Sequence, residues 1–212
     1  MLDTPNAPNH RSAILTALSQ VPIATTKQLA TLNMSLQPQK KASAILRDLE
    51  RDHLVEGRYH ERGKVWRLTR KGRTTCGVSP VRLTNLSHAL AVINLYFSLR
   101  PTKWMYEPRE PFEHLGQKYE WRPDCIFVYQ RKLYACEVQR SLPPGKNPWA
   151  RKWNIYNMYF NHGYYKEAQF QKWAKSVIAP EFLVITKQNP ETVRAGFGVE
   201  GRELIVVKEL TT

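Results

Sequence analysis

Aspartate is scarce in this chain: four occur in 212 residues, and Asp124 is the only one after Asp52. The shortage of acid extends to the net charge, because 18 Asp+Glu face 32 Lys+Arg and leave +14 at pH 7. A field of that sign gathers polyanions and disfavours cationic partners, so double-stranded DNA is the first partner expected. Three cysteines cannot complete a disulfide framework. Cys125 and Cys136 sit inside apolar runs as small hydrophobes, which points to a reducing, cytoplasmic setting. No apolar run approaches the roughly 18–20 residues that cross a bilayer, and Met1-Leu2-Asp3-Thr4-Pro5 lacks the regions of a secretion signal, so no membrane partner is expected. Also missing are a glycine-rich phosphate loop and a nucleophile elbow, which removes ATP hydrolysis and acyl transfer. His88, His114 and His162 have no ligand spacing with the cysteines, so no tetrahedral zinc set is expected.

The positive excess is shared evenly. Residues 1–80 hold 13 Lys+Arg against 6 Asp+Glu, and residues 81–212 hold 19 against 12. The pattern divides at the same place, into a basic N-terminal domain over 1–80 and an α/β domain over 81–212.

Three helical patterns open the first domain. His10 to Gln20 places Ile14, Leu15 and Leu18 on one face, and Pro22 follows its end. Thr25 or Thr26 can cap a short second helix over Lys27 to Leu32. A longer segment from Pro38 to His53 carries an apolar stripe of Ala42, Ile45, Leu46 and Leu49, with Lys40, Lys41, Arg47 and Arg51 on its other faces. Leu54–Glu56 and Val65–Leu68 then alternate as strands around an Arg62-Gly63-Lys64 turn. Helix, short helix, long basic helix and ribbon are the parts of a winged helix-turn-helix, whose third helix enters the major groove while the ribbon reaches a flanking phosphate. Arg62, Lys64, Arg67, Arg70, Lys71 and Arg73 cluster on or just after that ribbon, and Lys71-Gly72-Arg73 resembles the closing turn of winged-helix transcription regulators. Such modules bind paired half-sites as dimers, so a homodimer is the assembly to test. A module used for protein contacts is the other reading.

The second domain begins with an apolar helix over Leu83 to Leu99. Three strands are expected next, over Trp104–Phe112, Tyr119–Tyr129 and Leu133–Arg140. A proline-rich loop (Leu142-Pro143-Pro144-Gly145) leads to a helical region from Pro148 to Ser176, then strands at Phe182–Thr186 and Leu204–Val207 around a short helix near Pro190–Ala195. That order predicts an α/β layout with a central mixed sheet. Trp149, Trp153, Tyr156 and Phe160 recur on one helical face; they read as core packed on the sheet, or else as rings that stack on bases beside Arg151 and Lys152. Tyr164, Tyr165 and Trp173 are expected to be the exposed remainder.

The hairpin carries the chemistry. A two-residue turn at Arg131-Lys132 pairs Gln130 with Leu133, sets Asp124 opposite Gln139 and Ile126 opposite Glu137, and leaves Glu137 the diagonal neighbour of Asp124 at roughly 7–8 Å, whereas a three-residue turn puts the two acids on opposite faces unless a bulge intervenes. Two carboxylates forced together need a proton or a cation between them, and Mg²⁺ suits a few carboxylate oxygens plus water and phosphate. An exposed acidic pair at a sheet edge is the alternative.

Pro123-Asp124 followed by Glu137-Val138-Gln139 resembles the PD-(D/E)XK nuclease motif. The basic N-terminal module with His88-Ala-Leu-Ala-Val-Ile-Asn94, Arg122-Pro-Asp124 and Tyr134-Ala-Cys-Glu-Val-Gln139 is similar to the replication-relaxation family of plasmid and mobile-element proteins. The resemblance implies a PD-(D/E)XK-like domain after the winged helix, Asp124 and Glu137 as Mg²⁺ ligands, DNA cleavage, and a replication or mobilisation protein as partner. It also places Gln139 where such nucleases carry a catalytic lysine. Gln139 has no charge with which to activate water, so a lysine from the following loop or helix, Lys146 or Lys152, is the candidate replacement. The helix over Leu83 to Leu99 lacks the acid that many relatives place there, and Glu107 or Glu110 is left to supply a third carboxylate. Loss of both features also suits a non-catalytic regulator or replication accessory factor that keeps the fold for binding DNA.

Overall fold

The computed structural model describes residues 9–32, 37–60, 63–81, 83–139 and 149–208. It divides into two compact units, Met1–Ser98 and Leu99–Thr212. Among the described residues no helix is long and apolar enough to cross a membrane.

In the first unit α1 (His10–Gln20) starts at Asn9, whose side chain accepts from Ser12 N. A two-residue strand β1 (Ala24–Thr25) runs into α2 (Thr26–Ala30), where Thr25 and Gln28 exchange hydrogen bonds in a capping box. That reciprocal pair satisfies two amides that a five-residue helix leaves open. Helix α3 (Pro38–Arg51) follows with Pro38 in its first turn and buries Ala42, Leu46 and Leu49. Strands β2 (Val55–His60) and β3 (Gly63–Leu68) pair antiparallel, and β1 joins the far side of β3. The ribbon is longer than its alternation suggested, and its turn, with Arg62, lies outside the described residues.

Helix α4 (Arg70–Cys76), capped by Thr69, replaces the turn expected there. Gly72 lets it lie on the start of the ribbon, since a Cβ would sit 2.0 Å from Leu54 O. Helix α5 (Leu86–Leu99) falls almost wholly in the first unit, where Asn94 accepts from Gln28 Nε2 at 2.6 Å. The sequence pattern alone groups this helix with the α/β half after residue 80.

The second unit is a mixed α/β assembly on a mixed five-stranded sheet, ordered β10-β9-β8-β7-β4. Where one strand was expected over Trp104–Phe112, there are two, β4 (Lys103–Tyr106) and β5 (Glu110–His114). Glu107, at φ 41°, and Pro108 break the run, because left-handed backbone and a missing amide both end a ladder. The expected Tyr119–Tyr129 strand is likewise split by Pro123 into β6 (Gln117–Trp121) and β7 (Cys125–Tyr129). Strands β5 and β6 form a separate hairpin closed by Leu115-Gly116, both at positive φ.

Strands β7 and β8 (Lys132–Gln139) form the central hairpin, and β9 (Glu181–Thr186) and β10 (Leu204–Lys208) continue the sheet in parallel. Helix α6 (Ala150–Asn161) stops at Gly163, and two 3₁₀ turns, Tyr164–Glu167 and Gln169–Trp173, replace the longer helix expected to Ser176. Helix α7 (Pro190–Arg194) links β9 to β10. Trp149, Trp153, Tyr156 and Phe160 are all buried in one core with Ile126, Ala135, Phe182 and Val184, so the ring stripe packs on the sheet. Tyr164, Tyr165 and Trp173 pack half-buried against it and are not the exposed rings expected.

Candidate active site on the central hairpin

The hairpin turn is Gln130-Arg131, both at positive φ, and it pairs Tyr129 with Lys132. This corrects the expected Arg131-Lys132 turn and the Gln130–Leu133 pairing with it. A two-residue turn with both residues left-handed matches strand twist, so the chain reverses one residue sooner. Ile126 therefore lies opposite Ala135, not Glu137. The register changes by two, an even number, so every side chain keeps its face.

Carried one residue beyond the ladder, the observed register brings Asp124 alongside Glu137. Asp124 N donates to Cys136 O at 3.0 Å, and Asp124 Oδ2 accepts from Val138 N at 2.7 Å. The aspartate is thus tied to the residues on either side of Glu137. Its carboxylate takes an amide hydrogen of β8 just beyond the point where β7 begins.

Glu137 is buried, and its carboxylate accepts from Lys152 Nζ and from the Tyr156 hydroxyl. Lys152 and Tyr156 are four residues apart on α6, one above the other on the face turned to the sheet. Burial pushes the Glu137 carboxyl up to about 7; the Lys152 ammonium pulls it down and Asp124 pushes it up. The Lys152 ammonium is itself raised, since the charges of Glu137 and Asp124 outweigh its desolvation. Burial and the neighbouring carboxylate drive the Tyr156 phenol well above its ordinary range, so it stays a donor.

The two remaining acids separate. Glu107 N donates to Asp124 O at 2.9 Å, but its carboxylate pairs with Arg122 and accepts from Tyr106 OH at 2.9 Å. Glu110 lies on the β5–β6 hairpin, where it accepts from Gln169 N at 3.2 Å. Of the two, Glu107 is the one bonded beside Asp124. Gln139 ends β8, paired in register with Thr186, and Lys146 lies outside the described residues.

Among the described residues no group of three or more His, Cys, Asp or Glu is placed to hold a metal ion. Asp124 and Glu137 are two carboxylates, the donor number Mg²⁺ takes when water and substrate oxygens complete its shell. A cation there has to displace the Lys152 ammonium from Glu137. Cys125 and Cys136 face each other across the hairpin, buried and free, with thiols pushed up by burial.

The basic residues of the first unit sort into two sets. Lys40, Arg47, Arg51, Arg70 and Lys71 are exposed. Arg51 pairs with Asp48 at 3.2 Å, and Lys71 Nζ donates to Asp52 O at 3.1 Å. Lys64, Arg67 and Arg73 are half-buried and engaged: Lys64 with Glu50 at 3.2 Å and over the Trp66 ring, Arg67 with Glu56 at 2.5 Å, and Arg73 with Leu68 O at 3.1 Å. Lys41 is half-buried on α3. Arg58 and Tyr59 stand exposed on β2, outside the strand residues read from sequence. Arg122 and Tyr156 were also missed in their site roles. The Lys152–Tyr156 spacing was legible, but Tyr156 belonged to a ring stripe read only as core or stacking surface.

No protein-family model matches the chain, and no protein of curated function matches it. Among solved structures, the crystal structure of protein VC1899 from Vibrio cholerae aligns with 95% of this chain and 53% of that one, at 12% identity and a TM-score of 0.34. The chain spans about half the length of that protein, and a likeness at this level carries no functional argument.

Proposed function

We propose that this is a DNA-binding protein that joins a winged helix-turn-helix to a PD-(D/E)XK-like nuclease domain and hydrolyses phosphodiesters with Mg²⁺. One observation carries the reading: Asp124 is bonded to both neighbours of Glu137, and Lys152 bears on Glu137 from α6. Asp124 and Glu137 would hold the ion, which when bound supplies an activated water and offsets charge on the phosphate. Lys152 brings to the site the positive charge that Gln139 cannot, from a helix instead of a strand. Tyr156 fixes the Glu137 carboxylate from its other oxygen. The helix order and antiparallel ribbon of the first unit support the DNA-binding half, with Lys40 and Arg47 on α3 and Arg58 on β2 as exposed phosphate contacts. Plasmid or mobile-element replication and relaxation is the setting in which such a pairing fits.

The second reading is a regulator or replication accessory factor that binds DNA without cutting it. Both Glu137 oxygens being engaged, and Glu107 being paired with Arg122, favour it. Incubation of supercoiled plasmid with Mg²⁺ or Mn²⁺ decides. Nicking by the wild type that is lost in Asp124→Ala and Glu137→Ala is the expected result. DNA binding with no cleavage under either metal removes the nuclease and leaves the regulator.

A further inference from the structure

A cavity of about 280 Å³ opens beside the carboxylate pair, lined by Glu120, Arg122, Arg151, Lys152, Ile155 and Tyr156. Three of its six walls are cations. Arg151 and Lys152 lie in the first turn of α6, which holds no acidic residue. The positive end of the helix dipole disfavours cations at that position, so helix stability does not account for them. Their placement instead adds to the positive end of the dipole, an arrangement that attracts an anion.

The charges differ in how they are held. Lys152 is taken by Glu137 and Arg122 by Glu107, while Arg151 is exposed and has no carboxylate partner among the described residues. Glu120, also exposed, is the one acid on the cavity wall among the described residues. Arg122 is more than a third exposed, so its pair with Glu107 is open to exchange with a stronger acceptor. A phosphate, which takes guanidinium groups in bidentate fashion, is such an acceptor.

We infer that this cavity is the subsite for a DNA phosphodiester next to the Asp124–Glu137 pair, held by Arg151 and by an Arg122 that leaves Glu107 to bind it. The inference rests on the nuclease reading for its substrate, but its test does not use cleavage. The 212-residue chain in EDTA is treated with phenylglyoxal, and modification of each arginine is followed by peptide mass spectrometry. A saturating short DNA duplex is expected to slow modification of Arg151 and Arg122 by about fivefold or more, and inorganic phosphate at equal phosphate concentration is expected not to. Glu107→Gln removes the competing carboxylate, so Arg122 should be protected at a lower duplex concentration. That gain of binding cannot arise from misfolding. Equal reactivity of Arg151 with and without duplex overturns the subsite, as does equal protection by inorganic phosphate. So does a Glu107→Gln variant with unchanged protection of Arg122. Protection without plasmid nicking leaves the subsite standing and removes the nuclease; nicking without protection does the reverse.

Discussion

Replacing Lys152 by methionine isolates the ion pair made to the buried Glu137 carboxylate. The stem keeps its volume and the charge is lost, leaving Glu137 buried beside Asp124 with only the Tyr156 hydroxyl as donor. A buried carboxylate left so escapes the full cost of an unpaired charge by taking a proton, and pH decides how much that costs. In the wild type the Glu137 carboxyl titrates at about 7 when folded, against roughly 4.3 unfolded. The folded state therefore holds a proton that the unfolded state has released, and stability falls as pH rises through that window, then levels above it. Without the ammonium the folded value moves higher, so the fall continues above pH 7 at about 1.4 kcal/mol per pH unit. Between pH 7 and 8.5 Lys152→Met should lose roughly 2 kcal/mol more than the wild type, with a small constant difference below pH 7. Urea unfolding followed by tryptophan fluorescence suits this measurement, since five of the six tryptophans lie beyond residue 99. Parallel wild-type and variant curves above pH 7 refute the argument. A Lys152→Met/Glu137→Gln double variant that keeps the extra slope does so as well.

The exposed and engaged cations of the first unit should separate in DNA binding. Lys40→Ala and Arg47→Ala should each reduce the slope of log K against log salt by about 1, whereas Arg67→Ala, already paired with Glu56, should leave it unchanged. Filter binding across a salt series measures this. Gly72→Ala places a methyl against Leu54 O, a backbone atom that cannot swing away, and should cost about 2–4 kcal/mol in circular-dichroism melts of the first unit.

Much of the architecture was legible because its signals are local. The α1 stripe, the Thr25 cap, the Pro38 start and the strands at Phe182 and Leu204 each follow from a few neighbouring residues and emerged within a residue or two. The breaks were harder. Glu107 takes a left-handed conformation although glutamate has no preference for it, just past the last pair of β4 with β7. Helix α4 is seven residues long with a glycine inside, and contact with the ribbon, not propensity, holds it. Helix α5 is tied to the first unit by a bond between residues 66 apart, which periodicity cannot register.

At the site, parity survived an error in register. Strand alternation fixes the face of Asp124 and Glu137, and a hairpin misread by two residues leaves that face intact while moving every partner. Cross-strand proximity was therefore readable, but the identity of neighbours was not. Lys152 shows the complementary limit. The nuclease resemblance implies that Gln139 stands where a charged residue is expected and that a downstream lysine could supply the charge. Only packing of the Trp149–Phe160 stripe decides which turn of α6 faces the hairpin. Because Trp153 and Phe160 bury on either side of Tyr156 in sequence, the helix can rotate little, and Lys152 and Tyr156 are carried together onto Glu137. The apolar rings thus set the position of the buried charge, and a substitution such as Trp153→Ala should disturb Glu137 without touching it.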